Sequence, residues 1–203
     1  VLACKGYFDK ALLATLNAPE TLLPSHCDMN RTPGVDMTAG SLGQGISCAV
    51  GIAVGARLKK DGARVYSIIG DGESQEGQVW EAAMYAAHMK LDNLIALTDY
   101  NKQQLDDVID RINSLEPIMD KWAAFGWNVI NVRDGHDVDE IDEAIVRAKT
   151  CQGKPSMIIL NTIKGKGVSF VVAAGATPTT SNHNMPVSPE QWRQALEELK
   201  EGC

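Results

Sequence analysis

Apolar runs that stop abruptly at acids, amides and glycines set the pattern of this chain. Residues 64–70 (RVYSIIG) form a short, β-branched apolar run that ends in Asp71-Gly72, a turn signal. Beyond it Val79, Ala83, Ala86 and Ala87 keep a helical spacing among helix-favouring alanines, which predicts a helix over about 75–91. A second apolar run, 94–98, closes in Asp99-Tyr100-Asn101. The unit is strand, helix, strand, with an acid or amide oxygen at the C-terminal end of each strand. Parallel strands joined by one helix set their carboxyl ends side by side, so Asp71 and Asn101 are expected to meet where open α/β sheets take their ligands.

The rest of the chain reads around that unit. Residues 1–16 have a helical pattern broken near Gly6, with Leu12, Leu13 and Leu16 on one face. Residues 19–33 are a loop by their Pro, Asn and Ser content, and 37–45 (MTAGSLGQG) lead straight into a helix over about 42–59. In that helix Gly43, Ser47, Gly51 and Gly55 recur every four residues. Each glycine costs about 1 kcal/mol against alanine, so close packing by this chain or by another subunit is expected along the ridge. Residues 102–107 are a polar loop, and a helix starts near Ser114 to Pro117, with Trp122, Phe125 and Trp127 supplying core aromatics. A strand over 128–132, an Asp-capped helix over 137–149 and a strand over 156–160 follow, and 161–168 leave that last strand at the edge of Asp71 and Asn101. Residues 173–189 carry little pattern and are expected to be mobile without ligand or partner; Ser188-Pro189-Glu190 then start a final helix that ends near Lys200. The alternation predicts an α/β fold: one doubly wound, mostly parallel sheet with helices on both faces.

Length and charge narrow the functions open to it. The 203 residues suit one domain, and no internal repeat or composition shift marks a second. A formal charge of −7, with basic residues clustered only at Lys59-Lys60 and at Lys164 and Lys166, argues against nucleic acid or an acidic membrane surface as partner. No stretch is long and apolar enough to span a bilayer, and the five cysteines, widely spaced and without a C-x-x-C pair, read as reduced thiols of a cytoplasmic protein.

A carboxylate and an amide oxygen converging on one sheet edge, with Gly72 letting a phosphate approach the backbone, describe a hard divalent ion bridging protein to diphosphate. The stretch GDGESQEGQVWEAAMYAAHMKLDNLIALTDYN resembles the thiamine diphosphate motif, which begins with GDG and closes with Asn; Asp71 and Asn101 stand thirty positions apart. Its interior is most similar to transketolase, and the likeness runs from near Gly6 to Leu199. The resemblance implies a thiamine diphosphate-binding fold. It also implies transfer of a two-carbon ketol unit from a ketose phosphate to an aldose phosphate, as in the pentose phosphate pathway, with thiamine diphosphate and Mg²⁺ (or Ca²⁺ or Mn²⁺) as cofactors. It assigns the metal to Asp71, Asn101 and the carbonyl of Gln103, and the cofactor to Gly40, Leu42, Gly72, Glu76, Asn101, Leu105 and Ile163. Gly40 and Leu42 lie in the segment like T-G-S-L-G-Q-G, which faces the aminopyrimidine, and Glu76 matches an acid of the carboxylate network at the subunit interface. His26 matches a substrate-contacting histidine although Ser25 and Cys27 replace the usual Gly and Pro, and His183 is in register with a Trp-His-Gly whose flanks are here Asn182 and Asn184. These two histidines are the catalytic candidates. Lys164 and Lys166 are weaker candidates for phosphate, His136 matches a structural G-H-D turn, and Asp107 stands where the family has Gly, so a different local turn is expected.

Enzymes of this kind bind their cofactor between two domains. The resemblance therefore implies a partner: a separate C-terminal transketolase chain whose pyrimidine domain supplies a Glu to the cofactor, in an α2β2 assembly inactive without it. It also implies helices ahead of residue 1 that carry a Lys-Gly-His segment. The α subunit of a 2-oxo acid dehydrogenase and a deoxyxylulose phosphate synthase share the GDG-to-Asn motif, but neither is expected to join LGQG to QEGQVWEAAM. A non-catalytic paralogue is a further alternative, opposed by the retention of Asp71, Gly72 and Asn101.

Overall fold

The computed structural model describes residues 1–175 and 182–201. Residues 176–181, inside the stretch expected to be mobile, lie outside the described residues. In order the elements are α1 (Gln44–Lys59), β1 (Val65–Gly70), α2 (Gly77–His88), β2 (Leu94–Tyr100), α3 (Ile109–Ile112), α4 (Ile118–Ala124), β3 (Asn128–Val132), α5 (Val138–Thr150), β4 (Ser156–Asn161), α6 (Ser169–Gly175) and α7 (Pro189–Glu201). The four strands pair in parallel in the order β1-β2-β4-β3. Gly70 is in register with Asp99, and Tyr100 with Asn161, so three strand ends converge on one edge.

Both faces are covered, which is why β2 and β4 read as continuous apolar runs rather than alternating ones. On one face Ile46 and Ala53 of α1, Val79 and Ala83 of α2 and Trp122 of α4 bury Ile69, Leu94, Ala96, Met157 and Ile159. On the other, Ala144 and Ala148 of α5 cover Ile95, Leu97, Ile130 and Ile158. The alanines of α2 bring its backbone close enough for Trp127 Nε1 to donate to the Ala83 carbonyl at 2.9 Å. Trp122 stacks between Trp80 at 4.9 Å and Trp127 at 5.0 Å. The Asp137 carboxylate caps α5 by accepting from the amides of Asp139 and Glu140, as its sequence predicts.

Several boundaries differ from the sequence reading. Residues 1–16 are turns and a 3₁₀ helix (Lys10–Thr15), and Leu13 and Leu16 are exposed. The leucine spacing imitates an amphipathic face, but left-handed Gly6 and Asn17 break the run, and no residue of the 3₁₀ helix is buried. Helix α1 begins at Gln44 because Gly43 takes φ +81° as its cap, and α2 begins at Gly77 after a 3₁₀ turn over Glu73–Gln75. Helix α6 has no counterpart in the sequence reading. Among the described residues no helix is long and apolar enough to cross a membrane, and the described cysteines form no disulfide.

Among the described residues the small-residue ridge of α1 is filled only at its start, where Glu76 and Gln78 lie against Gly43. Ser47 accepts a hydrogen bond from Gln78, but a Cβ at Gly51 or Gly55 would meet no atom within 4 Å. Around that ridge Ile52 and Leu58 of α1 and Met84 and Tyr85 of α2 are exposed.

Candidate functional site

Asp71 follows the last residue of β1 and is 1 % exposed. One carboxylate oxygen accepts the Gly72 amide at 2.7 Å and the other accepts the Lys102 amide. Burial pushes its carboxyl up to about 6, against the pull of those two amides; the Asp99 carboxylate adds to the rise and the Lys164 ammonium opposes it. The turn that follows is fixed by Ser74, whose hydroxyl donates to the Gly70 carbonyl at 2.9 Å, and by Trp80, whose Nε1 donates to the Ser74 carbonyl at 2.9 Å.

Around this acid the ends of β2 and β4 form a polar network. Asp99 accepts from the Asn101 side-chain Nδ2 at 3.0 Å and from the Thr162 hydroxyl, and the Asn101 side-chain Oδ1 accepts the Gln103 backbone amide at 3.0 Å. Gln103 pairs with Val108, and the Ile109 amide donates to the Lys102 carbonyl at 3.0 Å, closing residues 102–109 into a compact loop. The left-handed residue of that loop is Lys102 (φ +66°), and Asp107 keeps a negative φ while its carboxylate accepts the Val108 amide at 2.7 Å and pairs with Arg111 at 3.2 Å. Gly72 lies beneath the loop, where a Cβ would stand 2.7 Å from the Cβ of Gln104. Only glycine fits there.

The other candidates surround this edge. A Cβ on Gly40 would stand 2.7 Å from Cδ2 of His26, so the exposed His26 ring lies against the glycine-rich loop. Leu42, Leu105 and Ile163 expose about half of their surface, which leaves apolar side chains available to a ligand. Glu76 caps α2 and is exposed, close to Gly43. His183 stands 3.1 Å from the Lys164 ammonium; burial pulls the pKa of that ammonium down, and Asp71 and Asp99 hold it up.

The arrangement suits a hard cation and a diphosphate. Among the described residues no group of three or more His, Cys, Asp or Glu side chains is placed to hold a metal ion, so a cation here needs amide, carbonyl and ligand oxygens beside Asp71. The Asn101 side-chain oxygen, which accepts the Gln103 amide, and the Gln103 carbonyl, 3.9 Å from a Cβ built on Gly72, lie on this edge, and Asp71 is a buried carboxylate that a cation would relieve.

Sequence reasoning missed Glu73, Thr162 and the role of His136. The Glu73 carboxylate accepts from two backbone amides on different elements, a long-range contact that leaves no periodic trace. His136 Nε2 accepts the Ile163 amide at 2.8 Å, so this turn histidine anchors the 161–168 loop. His136→Ala should speed amide hydrogen exchange at residue 163 about fivefold while leaving β2 and β4 unchanged. An unchanged rate at that amide would mean that the bond does not hold the loop.

The comparisons with known proteins agree on one family. The family described as transketolase, thiamine diphosphate binding domain, matches residues 6–195. The 6-deoxy-6-sulfo-D-fructose transketolase subunit SqwG of Clostridium sp. is 57 % identical over 203 residues, covering 100 % of this chain and 72 % of that protein. An apulose-4-phosphate transketolase subunit from Phocaeicola vulgatus is 34 % identical over 200 residues, covering 98 % of this chain and 69 % of that protein. Among solved structures, transketolase from Leishmania mexicana superposes with a TM-score of 0.72 at 27 % identity, over 94 % of this chain. This chain spans 32 % of that one, about a third of its length.

Proposed function

We propose, because this chain belongs to the transketolase family as a thiamine diphosphate binding domain, that it is the cofactor- and metal-binding subunit of an enzyme moving a two-carbon ketol unit from a ketose to an aldose. The observation that supports this reading is the buried Asp71 carboxylate at the carboxyl edge of the sheet, which accepts the Lys102 amide beside Asn101 and Gln103, with Gly72 packed directly beneath the 102–109 loop. Bound thiamine diphosphate would supply the nucleophile for attack on the ketose carbonyl. Asp71, Asn101 and the Gln103 carbonyl would hold Mg²⁺ (or Ca²⁺ or Mn²⁺) on its diphosphate, with Gly72 beside it. The Gly40 backbone and the Leu42, Leu105 and Ile163 side chains would hold its rings, and Glu76 would serve the carboxylate network near the interface. His26 and His183 would hold or move protons at substrate oxygens. Calorimetric titration with thiamine diphosphate, with and without Mg²⁺, tests the reading; heat of binding that is the same without metal would overturn it.

The name of the Clostridium relative favours a second reading of the donor alone, a ketose with a sulfonate in place of the terminal phosphate. Initial rates with a phosphorylated and a sulfonated ketose, assayed side by side, distinguish the two. For either donor, His26→Ala should lower turnover about 10²-fold and leave cofactor affinity nearly intact. Lost cofactor binding with unchanged turnover at saturation would make His26 structural.

The relatives named as subunits support a separate C-terminal transketolase chain carrying the pyrimidine domain, in an α2β2 assembly. The exposed apolar side chains beside the small-residue ridge of α1 support an interface on that face. The four described cysteines, each a free thiol, support a cytoplasmic setting.

A further inference from the structure

The geometry points to Glu73 as a positioning residue whose single carboxylate sets the distance between the two halves of the cofactor site, an inference that rests on the thiamine diphosphate reading above. Glu73 begins the 3₁₀ turn after Asp71-Gly72. One of its oxygens accepts the Gly43 amide at 2.9 Å, and the other accepts the Gly70 amide at 3.0 Å. Gly43 closes the glycine-rich loop that holds Gly40 and Leu42, whereas Gly70 is the last residue of β1, directly before Asp71. The carboxylate therefore ties the loop for the aminopyrimidine to the strand end for the metal and diphosphate.

No other side chain is needed for this bridge, and few could replace it. Gly43 lies outside the sheet at a left-handed cap with no side-chain cap of its own, so the Glu73 oxygen answers an amide at the very entry to α1. A half-buried carboxylate shared by two amides makes charge-assisted bonds, which are shorter and stronger than neutral ones. Glutamine has one oxygen where the bridge needs two, and its amide nitrogen would face an N–H group. Loss of one arm frees the loop relative to Asp71 and leaves the Asp71, Asn101 and Gln103 network untouched.

That separation gives the test. Thiamine diphosphate engages both halves, but Mg²⁺-pyrophosphate engages only the metal half. In the full-length protein, with any chain that copurifies, E73Q should bind thiamine diphosphate about tenfold more weakly and Mg²⁺-pyrophosphate as the parent does. Amide exchange at Gly43 should rise in the same variant. Equal affinity for both ligands, or equal loss for both, overturns the positioning role, as does unchanged exchange at Gly43. A parent protein that binds pyrophosphate but not thiamine diphosphate defeats the proposed function instead, and the exchange measurement still decides whether the bridge orders the loop. If E73Q does not fold by circular dichroism, E73D, which keeps both acceptors on a shorter stem, carries the same comparison.

Discussion

Asp71→Ala should abolish metal-dependent binding of thiamine diphosphate, with a loss of at least about a hundredfold, because it strips the one buried carboxylate from the proposed metal shell. Equal affinity of parent and variant in the presence of Mg²⁺ would remove Asp71 from the site. The raised carboxyl adds a pH signature. Its folded value of about 6 lies above the ordinary 3.8, so the folded protein without cofactor holds this proton more tightly than the unfolded chain does. The stability that follows is fully present below about pH 4 and is lost as pH rises through about 6, a change of up to about 3 kcal/mol. Metal binding needs the ionised form, so Mg²⁺ affinity should fall about tenfold for each unit below pH 6. Chemical unfolding of the parent and of Asp71→Asn across pH 4 to 7 isolates the contribution. Curves that stay parallel would mean that Asp71 titrates normally.

The core of this site is readable from sequence because its chemistry sits where local pattern is strongest. The β-branched run before Asp71 and the apolar run before Asn101 have the length and composition of strands, and one intervening helix forces parallel pairing, so register alone brings their ends together. The match of residues 6–195 to the family bears out the resemblance drawn from the same stretch. The parts that are not readable depend on tertiary contact. Leu12, Leu13 and Leu16 have the spacing of a buried face, but spacing does not say whether a surface waits beneath it, and Leu13 and Leu16 are exposed while Leu12 is half-buried. Glu73 and Glu76 look alike in sequence, two acids in one turn, yet one bridges two amides and the other is exposed. Asp107 in place of Gly predicts a different local turn, and what the sequence does not show is that its carboxylate holds the turn by accepting the next amide.

The chain by itself should show no detectable two-carbon transfer and should gain it on mixing with a chain that carries a pyrimidine domain. The relatives named as subunits motivate this, together with the face of α1 and α2. There Gly51 and Gly55 meet nothing within 4 Å, and Leu58 is 79 % exposed. Glycines in a helix interior are a standing cost of about 1 kcal/mol each, offset only when something packs closely on them. An obligate interface of roughly 2,000 Å² or more would bury that face. Sedimentation of the mixture should give an α2β2 species, and Leu58→Glu should dissolve it. Full turnover from this chain alone, with no copurifying partner, would refute the split-subunit arrangement.

The tryptophan stack has an experimental consequence of its own. Trp80 touches Trp122 on one side, and through its indole N–H it holds the Ser74 carbonyl in the turn that begins at Asp71. Any rearrangement of that turn would shift an indole packed against the buried Trp122 and against Phe125, so occupancy of the site is expected to change intrinsic emission. Trp192, exposed on α7, contributes a solvent-quenched background that Trp192→Phe would remove. What remains should be a label-free optical readout from the core, and unchanged emission on adding thiamine diphosphate and Mg²⁺ would mean that the turn does not move on binding.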